Sequence, residues 1–275
     1  MLRLSDLQLV ESKEELGFLP RGKVLINTIN AHSYNVAQKD EVFAESINVN
    51  VNVKEDERCW KYLIPDGASI VKACRWLKGK SQPKERIAGW DLFEFEMSHL
   101  NSKMRELKNE KMNKWRVMFM GSSEKVLSLI RTRAEKDYPN LEIVTYSPPY
   151  KEEFSDEDNA AIITAINEAK PDLLWIGMTA PKQEKWVYRH WNELDIDCHV
   201  GTIGAVFDFY AGTVERAPLW MQRHGLEWLY RLVRQPRKMW KRYLVGNPLF
   251  LYNVLKEYFQ RREESGERRV VIYKT

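Results

Sequence analysis

Short apolar runs with the length of β-strands alternate with longer amphipathic runs along the chain from Lys23 to Ala205. The longer runs have the apolar periodicity of α-helices, and turn residues such as Pro65-Asp66-Gly67 separate the two kinds of run. This alternation is typical of a parallel sheet covered by helices. The sequence therefore predicts an α/β fold, a Rossmann-like, mostly parallel sheet with flanking helices. Its strands are expected to begin at Lys23, Tyr62, Arg116, Leu141, Asp172 and Cys198.

Charge is distributed unevenly along the 275 residues. The whole chain carries 43 basic and 39 acidic residues, a net charge of +4. The segment from Arg216 to Arg242, by contrast, contains many Arg and Lys, several Trp and a single acid, Glu227. We therefore expect two units: a Rossmann-like core at 1–213 and a basic, Trp-rich helical C-terminal appendage at 214–275.

The basic segment at 216–242 has three interpretations. Leu226, Leu229 and Val233 fall on one face of a helix, while Arg231 and Lys238 fall on another. A basic amphipathic stretch with tryptophans is typical of a membrane-surface element. It is also suited to binding nucleic-acid phosphates with aromatic stacking, or it is a solvated helix packed on the core. The nearly balanced total charge weighs against nucleic acid as the partner.

Residues that form disulfides or hold metals are sparse and poorly spaced. Cys59, Cys74 and Cys198 form no CxxC pair, which favours a reducing cytoplasm over a disulfide or zinc framework. Asp195-Ile-Asp197 has the DxD pattern of a metal-dependent sugar-nucleotide site, but it precedes a predicted strand, at the wrong end of the sheet. We therefore expect no metal and no cofactor. No apolar run reaches the about 20 residues that a membrane-spanning helix needs.

Ligands of parallel α/β sheets bind beyond the carboxyl ends of the strands, so the loops there carry the candidate site. Asp66 follows the second predicted strand, where its carboxylate is suited to general-base catalysis or to capping the next helix. Thr28 and Asn30 end the first strand, where they bind a sugar or cap a loop. Gln183 lies in the first turn of a helix that begins near a proline. Proline is common at the start of a helix, and the N-terminus of a helix is also suited to binding phosphate.

Gly201-x-x-Gly204 follows the last predicted strand and lets the backbone approach a ligand closely. The pattern does not match the GxGxxG fingerprint of dinucleotide sites, and Gly121-Ser-Ser does not match a Walker motif. An NAD or P-loop nucleotide site is therefore weakly supported.

Taken in order along the chain from Thr28 to Tyr243, a set of short motifs resembles the WecG/TagA/CpsF family of bacterial glycosyltransferases. No single motif is specific, but their order is. The motifs are Thr28-x-Asn30, Ala37-Gln-Lys-Asp40, Pro65-Asp66-Gly67, Arg86-x-x-Gly89-x-Asp91-Leu92, Ala180-Pro-Lys-Gln-Glu184, Gly201-x-x-Gly204-Ala-x-Phe-Asp208-Phe, Arg216-Ala-Pro218 and Gly225-Leu-Glu-Trp-Leu-Tyr-Arg231-Leu.

The resemblance implies an inverting, metal-independent enzyme that moves a sugar, often N-acetylmannosamine or its uronic acid, from a UDP-sugar. The acceptor it implies is a lipid-linked sugar, carried on a polyprenyl diphosphate at the cytoplasmic face of the membrane. The product feeds a surface polysaccharide or teichoic acid. We therefore expect a cytoplasmic protein, peripherally bound to the inner face of the cell membrane, that self-associates as a homo-oligomer and does not bind nucleic acid.

The resemblance also implies roles for individual residues. Asp66 is the implied general base, and Thr28, Asn30 and Gln183 line the pocket. Arg86, Gly201 and Gly204 lie in the shared motifs and are counted among the substrate-binding residues, and Asp208 is associated with the uracil end of the donor. Arg231, Lys238 and Lys241 of the appendage are implied to reach the nucleotide diphosphate.

Several positions depart from the family pattern. Thr179 and Ile203 stand where smaller residues are usual, Trp90 is larger than usual, and the stretch between Asp40 and Asp66 is longer. These departures put the identity of the donor sugar in question. Two alternatives remain at this stage: a nucleic-acid-binding protein that uses the 216–242 segment, and a membrane scaffold without activity.

Overall fold

The computed structural model describes residues 2–48, 60–106 and 114–264. Residues 49–59, which include Cys59 and part of the longer stretch between Asp40 and Asp66, lie outside these ranges. Within them, six parallel strands form one sheet in the order β2-β1-β6-β5-β3-β4, which confirms the predicted α/β, Rossmann-like fold. The strands are β1 (Val24–Ile29), β2 (Trp60–Pro65), β3 (Trp115–Gly121), β4 (Leu141–Tyr146), β5 (Leu173–Gly177) and β6 (His199–Thr202).

Helices connect the strands and continue into the C-terminal part of the chain. A π-helical turn at Lys241–Val245 links the last two of them. The helices are α1 (Ala31–Ala37), α2 (Glu41–Ile47), α3 (Ala68–Leu77), α4 (Gly89–Glu106), α5 (Glu124–Asp137), α6 (Asp156–Ala169), α7 (Lys182–His190), α8 (Gly204–Ala211), α9 (Leu219–Arg223), α10 (Glu227–Arg234), α11 (Pro236–Trp240) and α12 (Gly246–Glu264).

The chain between β1 and β2 differs from the sequence prediction. The sequence predicts one helix from Ala31 to Glu45, but the structure has two, α1 and α2. The Asp40 carboxylate accepts a hydrogen bond from Phe43 N at 3.0 Å and so caps a new helix. Asp40 Oδ2 also pairs with Lys185 Nζ of α7 at 2.8 Å, which ties this break to the neighbouring helix.

Three clusters of buried side chains fill the space between the sheet and its helices. On one face, Phe93 of α4, Phe119 of β3 and Phe207 of α8 belong to the largest cluster. On the other face, α6 and α7 cover the centre of the sheet with residues such as Ile166 and Val187. The third cluster lies beside β1 and β2, between α1, α2, α3 and α12. The three clusters thus cover both faces of the sheet.

Helix α12 packs on the core, although it lies beyond the basic segment. Its Phe250 and Val254 belong to the same buried cluster as Tyr34 of α1. Its Glu257 carboxylate is buried and accepts hydrogen bonds from Leu4 N, Ser5 N and the Tyr34 hydroxyl. Since α8 and α12 both lie against the core, the residues between them form an arm that is fastened at each end.

The arm from Val214 to Val245 contains α9, α10, α11 and the π-helical turn. Among the residues named in its helices, Met239 is the one that is buried. Large apolar side chains such as Trp220 and Val233 are exposed by 60% and 71%. In the described ranges, no helix combines the length and the apolar composition needed to cross a bilayer.

Candidate active site

Asp66 lies at the carboxyl end of β2, at the edge of the sheet where ligands of parallel α/β folds bind. Its backbone N–H donates to Ile29 O at 2.8 Å, which joins it to the end of β1. Gly67 follows with a φ of 133°, a conformation that side-chain-bearing residues rarely adopt, so the turn into α3 depends on glycine. The carboxylate does not cap α3, in contrast to the capping interpretation of the sequence.

The Asp66 carboxylate is half-buried, and its oxygens make no hydrogen bond or ion pair within the part of the chain that the structure describes. Burial raises the pKa of this carboxyl, and the negative charge of Glu227 raises it further. The positive charges of Arg86, Arg242 and Arg231 oppose this increase. The result is an unpaired carboxylate with increased proton affinity, as a general base requires.

Thr28 and Asn30 lie beside Asp66, because Ile29 is the register partner of Pro65. Thr28 is half-buried, and its hydroxyl makes no hydrogen bond within the described residues. Asn30 caps α1: its Oδ1 accepts from His32 N at 3.0 Å and from Ser33 N at 3.1 Å. The capping function of Asn30 therefore occupies its side-chain oxygen and leaves its amide N–H groups for a ligand.

Gln183 is buried and held in place by its neighbours. Its Oε1 accepts from Met178 N at 3.1 Å, and its Nε2 donates to Glu184 Oε1 at 2.8 Å. Burial raises the pKa of the Glu184 carboxyl to about 7, and its other oxygen has no hydrogen-bond partner in the described residues. These contacts fix the loop between β5 and α7, so Gln183 shapes this loop whether or not it contacts a ligand.

Packing explains two glycines, Gly201 within β6 and Gly204 at the start of α8. A Cβ at Gly201 would lie 2.2 Å from the Trp175 ring, and one at Gly204 would lie 2.1 Å from Met178 O. Both positions therefore require glycine for the core and loops to fit. Asp208, one turn into α8, is half-buried and accepts from the Thr213 hydroxyl at 3.3 Å.

The appendage approaches this edge with some, but not all, of the predicted cations. Arg231 acts electrostatically on Asp66, whereas Lys238 and Lys241 are exposed. Arg242, the next residue after Lys241, also acts on Asp66, and its burial lowers the pKa of its guanidinium. Within the basic segment, Arg231 and Arg242 thus act on Asp66, while the contact of the exposed Lys238 and Lys241 with the nucleotide diphosphate stays a prediction.

Guanidinium–aromatic contacts attach the arm to the core. Arg216 lies over the Trp90 ring, with its Cζ 4.6 Å from the centroid, and Arg231 lies 5.6 Å from that of Phe209. The Nε atoms of Arg216, Arg231 and Arg242 are buried and lack a hydrogen-bond partner in the described residues. Buried N–H donors on a cation are suited to an anionic ligand.

Two further residues at the site, Glu227 and His32, are not predicted from the sequence. Glu227 of α10 forms an ion pair with Arg86 of the core, with Glu227 Oε2 3.0 Å from Arg86 Nη1. His32 at the start of α1 is half-buried, and its burial and the charge of Arg242 lower its pKa to about 4. Only the spacing of Glu227 and Arg231, four residues apart on one helix, hinted that they face the same side.

Asp195 and Asp197 precede β6 and therefore lie at its amino end, opposite to Asp66. Across the described ranges, no cluster of three His, Cys, Asp or Glu side chains has the geometry to hold a metal ion.

Comparisons with known proteins agree with the geometry. Residues 3–264 match the model of the glycosyl transferase WecG/TagA/CpsF family. The chain is similar to proteins named N-acetylglucosaminyldiphosphoundecaprenol N-acetyl-beta-D-mannosaminyltransferase from three bacteria. With the protein of Bacillus subtilis (strain 168), it is 29% identical over 85% of this chain and 79% of the relative. For Bacillus spizizenii the identity is 31%, over 71% and 68%, and for Staphylococcus aureus (strain MW2) it is 27%, over 91% and 87%. The chain therefore belongs to the WecG/TagA/CpsF family of glycosyltransferases.

Proposed function

We propose that the protein is an inverting glycosyltransferase of surface-polysaccharide biosynthesis, with a UDP-sugar as donor and a polyprenyl-diphosphate-linked sugar as acceptor. The donor sugar is of the N-acetylmannosamine type or a related hexose or uronic acid. The relatives' name specifies a lipid-linked acceptor and a mannosaminyl group, which supports the proposed acceptor and the proposed type of donor sugar. The observation that carries the proposal is the unpaired Asp66 carboxylate, influenced by arginines from both the core and the arm.

In the proposed reaction, the Asp66 carboxylate takes the proton of the acceptor hydroxyl as its oxygen attacks the anomeric carbon of the donor. The bond from that carbon to the diphosphate breaks, and UDP leaves with the electron pair. A single displacement inverts the anomeric centre. Arg231 and Arg242 supply positive charge for the leaving diphosphate, and their buried N–H donors act more strongly there than they would in water.

The arm is also the proposed contact with the membrane. Exposed apolar side chains, among them Leu219, Trp220 and Leu244, occur on the same segment as the exposed cations Lys238 and Lys241. Apolar side chains that enter the headgroup region, together with cations that attract anionic lipids, are typical of peripheral membrane proteins. We propose that this surface holds the enzyme at the inner face of the cell membrane, where its acceptor is located.

The nucleic-acid-binding alternative receives less support. Arg216 lies over the Trp90 ring of the core rather than standing free for phosphates along a strand. The predicted homo-oligomer and the boundary at residue 213 remain predictions.

The Asp66→Asn variant tests the base. Because asparagine cannot take a proton, transfer should fall by a factor of about 10² to 10⁴, while UDP-sugar binding and thermal stability stay close to wild type. Transfer is measured with UDP-sugars and a lipid-linked acceptor analogue, with and without EDTA, and binding by calorimetry. Asp156→Asn, an exposed carboxylate in the first turn of α6, is the matched control. Near-normal turnover of Asp66→Asn would overturn the base assignment.

A further inference from the structure

The Arg86–Glu227 ion pair joins the core to the arm at the edge of the candidate site. Arg86 lies in the loop before α4, and Glu227 is the first residue of α10. Arg86 Nη1 lies 3.0 Å from Glu227 Oε2, and the two side chains are 21% and 18% exposed, so the pair is largely shielded from water. Both residues act on the Asp66 carboxylate, with opposite signs.

Asp66 has no direct ion pair within the described residues, although three arginines influence it. The lack of a direct pair matters for catalysis. A carboxylate that pairs directly with arginine keeps its negative charge and becomes a poor proton acceptor. Arg86 acts on Asp66 electrostatically, but its Nη1 is paired with Glu227. Among the described residues, the charged groups that act on Asp66 are Glu227 and Arg231 from α10, Arg86 from the loop before α4 and Arg242 from the π-helical turn. His32 of α1 is in turn influenced by Arg242.

We propose that Glu227 is a positioning residue for sugar transfer: it holds the Arg86 guanidinium, so that the Asp66 carboxylate stays unpaired and free to take the acceptor's proton. The inference rests on the proposed function, in which Asp66 is the general base. It also gives α10 a part in catalysis beyond supplying cations, because the core without the docked helix leaves Arg86 available to pair with Asp66.

The Glu227→Gln variant of the full-length enzyme tests this proposal. Glutamine keeps the shape of the side chain but removes the charge that holds Arg86. The lost negative charge of Glu227 and the released Arg86 both favour ionised Asp66, so the acid limb of the kcat/KM–pH profile should move to lower pH by about one unit. The weaker base should also reduce kcat about tenfold at the plateau, with a much smaller change in the KM for the UDP-sugar.

Three further variants make the outcome decisive. Glu215→Gln is the matched control, because Glu215 pairs with Arg234 on the same arm but both side chains are well exposed, by 69% and 57%; its pH profile should not move. Glu227→Asp keeps the charge and should keep the acid limb in place. Removing both charges, in Arg86→Gln/Glu227→Gln, should return the limb toward its wild-type position, whatever the loss in rate.

A purely structural role for Glu227 predicts a different result. Activity of Glu227→Gln would then fall equally at every pH, with the acid limb unmoved, and the inference would be wrong. If the acid limb of Glu227→Gln does not move and Asp66→Asn is inactive, the proposed role of Glu227 is wrong but the proposed function stands. If Asp66→Asn transfers sugar at a near-normal rate, the proposed function with Asp66 as the base is itself contradicted.

Discussion

At the scale of single residues, His199 shows how the chain uses a charge away from the site. Its Nδ1 lies 2.8 Å from Glu96 Oε1 and its Nε2 lies 2.9 Å from Pro20 O, so each ring nitrogen faces an acceptor. Burial disfavours the charged ring, but the hydrogen bond and charge of Glu96 outweigh it, and the pKa of His199 is raised. The imidazolium form therefore satisfies both acceptors at the amino end of β6.

Replacing His199 by Gln should destabilise the protein more at pH 6 than at pH 9. A raised pKa contributes stability that is fully present below the pKa of the unfolded chain, about 6.5, and is lost as the pH rises through the folded-state pKa. The expected loss at pH 6 is about 1–3 kcal/mol of unfolding free energy, from urea titrations. Equal losses at the two pH values would show that His199 is neutral in the folded protein.

The sequence locates Asp66, and the family resemblance adds Arg86 and Arg231, but neither predicts that Glu227 and Arg242 act on Asp66. A carboxylate directly after an apolar strand can be assigned to the carboxyl edge of a parallel sheet from order alone. Glu227 and Arg242 reach that edge only because the arm folds back over it, and no local pattern records such a contact. Gly201 is the reverse case: its motif suggested a ligand, while the ring of Trp175 is sufficient to require glycine.

At the scale of elements, α12 is bound to the N-terminal segment of the chain and to α1. Glu257 accepts hydrogen bonds from Leu4 N at 2.9 Å, Ser5 N at 2.8 Å and the Tyr34 hydroxyl at 2.7 Å. A single buried carboxylate thus satisfies donors from the N-terminal segment and from α1. Because Glu257 lies on α12, these hydrogen bonds hold the helix that follows the basic arm against the core.

Replacing Glu257 by Gln should cost about 2–3 kcal/mol of unfolding free energy, because the amide group brings N–H donors to a place where only acceptors fit. Chemical denaturation measures the effect. Glu264→Gln is the comparison: this residue pairs with Arg3 at the surface, with side-chain exposures of 55% and 37%, and its loss should have little effect. Equal behaviour of the two variants would mean that α12 is not anchored by Glu257.

The strands were predictable because buried parallel strands are short apolar runs bounded by turn residues. Helix α4 was not predicted from the sequence, and its buried face gives the reason. That face contains Glu96 among Leu92, Phe93 and Met97, so the apolar pattern is interrupted. The partner that makes Glu96 acceptable there, His199, is 103 residues away in the sequence.

At the scale of the whole molecule, exposed apolar side chains concentrate on the arm and the outer face of α12. Trp220, Val233 and Leu244 of the arm are exposed by 60%, 71% and 58%, and Leu251 and Phe259 of α12 by 57% and 58%. Exposed apolar patches of this kind mark interaction surfaces. Their position next to the cations of the arm is what leads us to expect a membrane on this side.

The double variant Trp220→Ser/Val233→Ser should bind anionic phospholipid vesicles about tenfold or more weakly than the wild type, because two large apolar groups no longer enter the bilayer surface. Cosedimentation over a range of lipid concentrations measures the partitioning. Phe18→Ser is the matched control: Phe18 is 84% exposed but lies in the N-terminal segment. An equal effect of Phe18→Ser would argue against a lipid contact specific to the arm.

The arm is fastened to the core at both ends, through α8 and through α12. A segment closed in this way returns to its docking surface as an intramolecular event, at a high effective concentration, even when each contact is weak. The stacked arginines and the half-buried ion pair therefore suffice to hold the arm in place without a hydrophobic core of its own. Protein concentration should therefore not affect this closure.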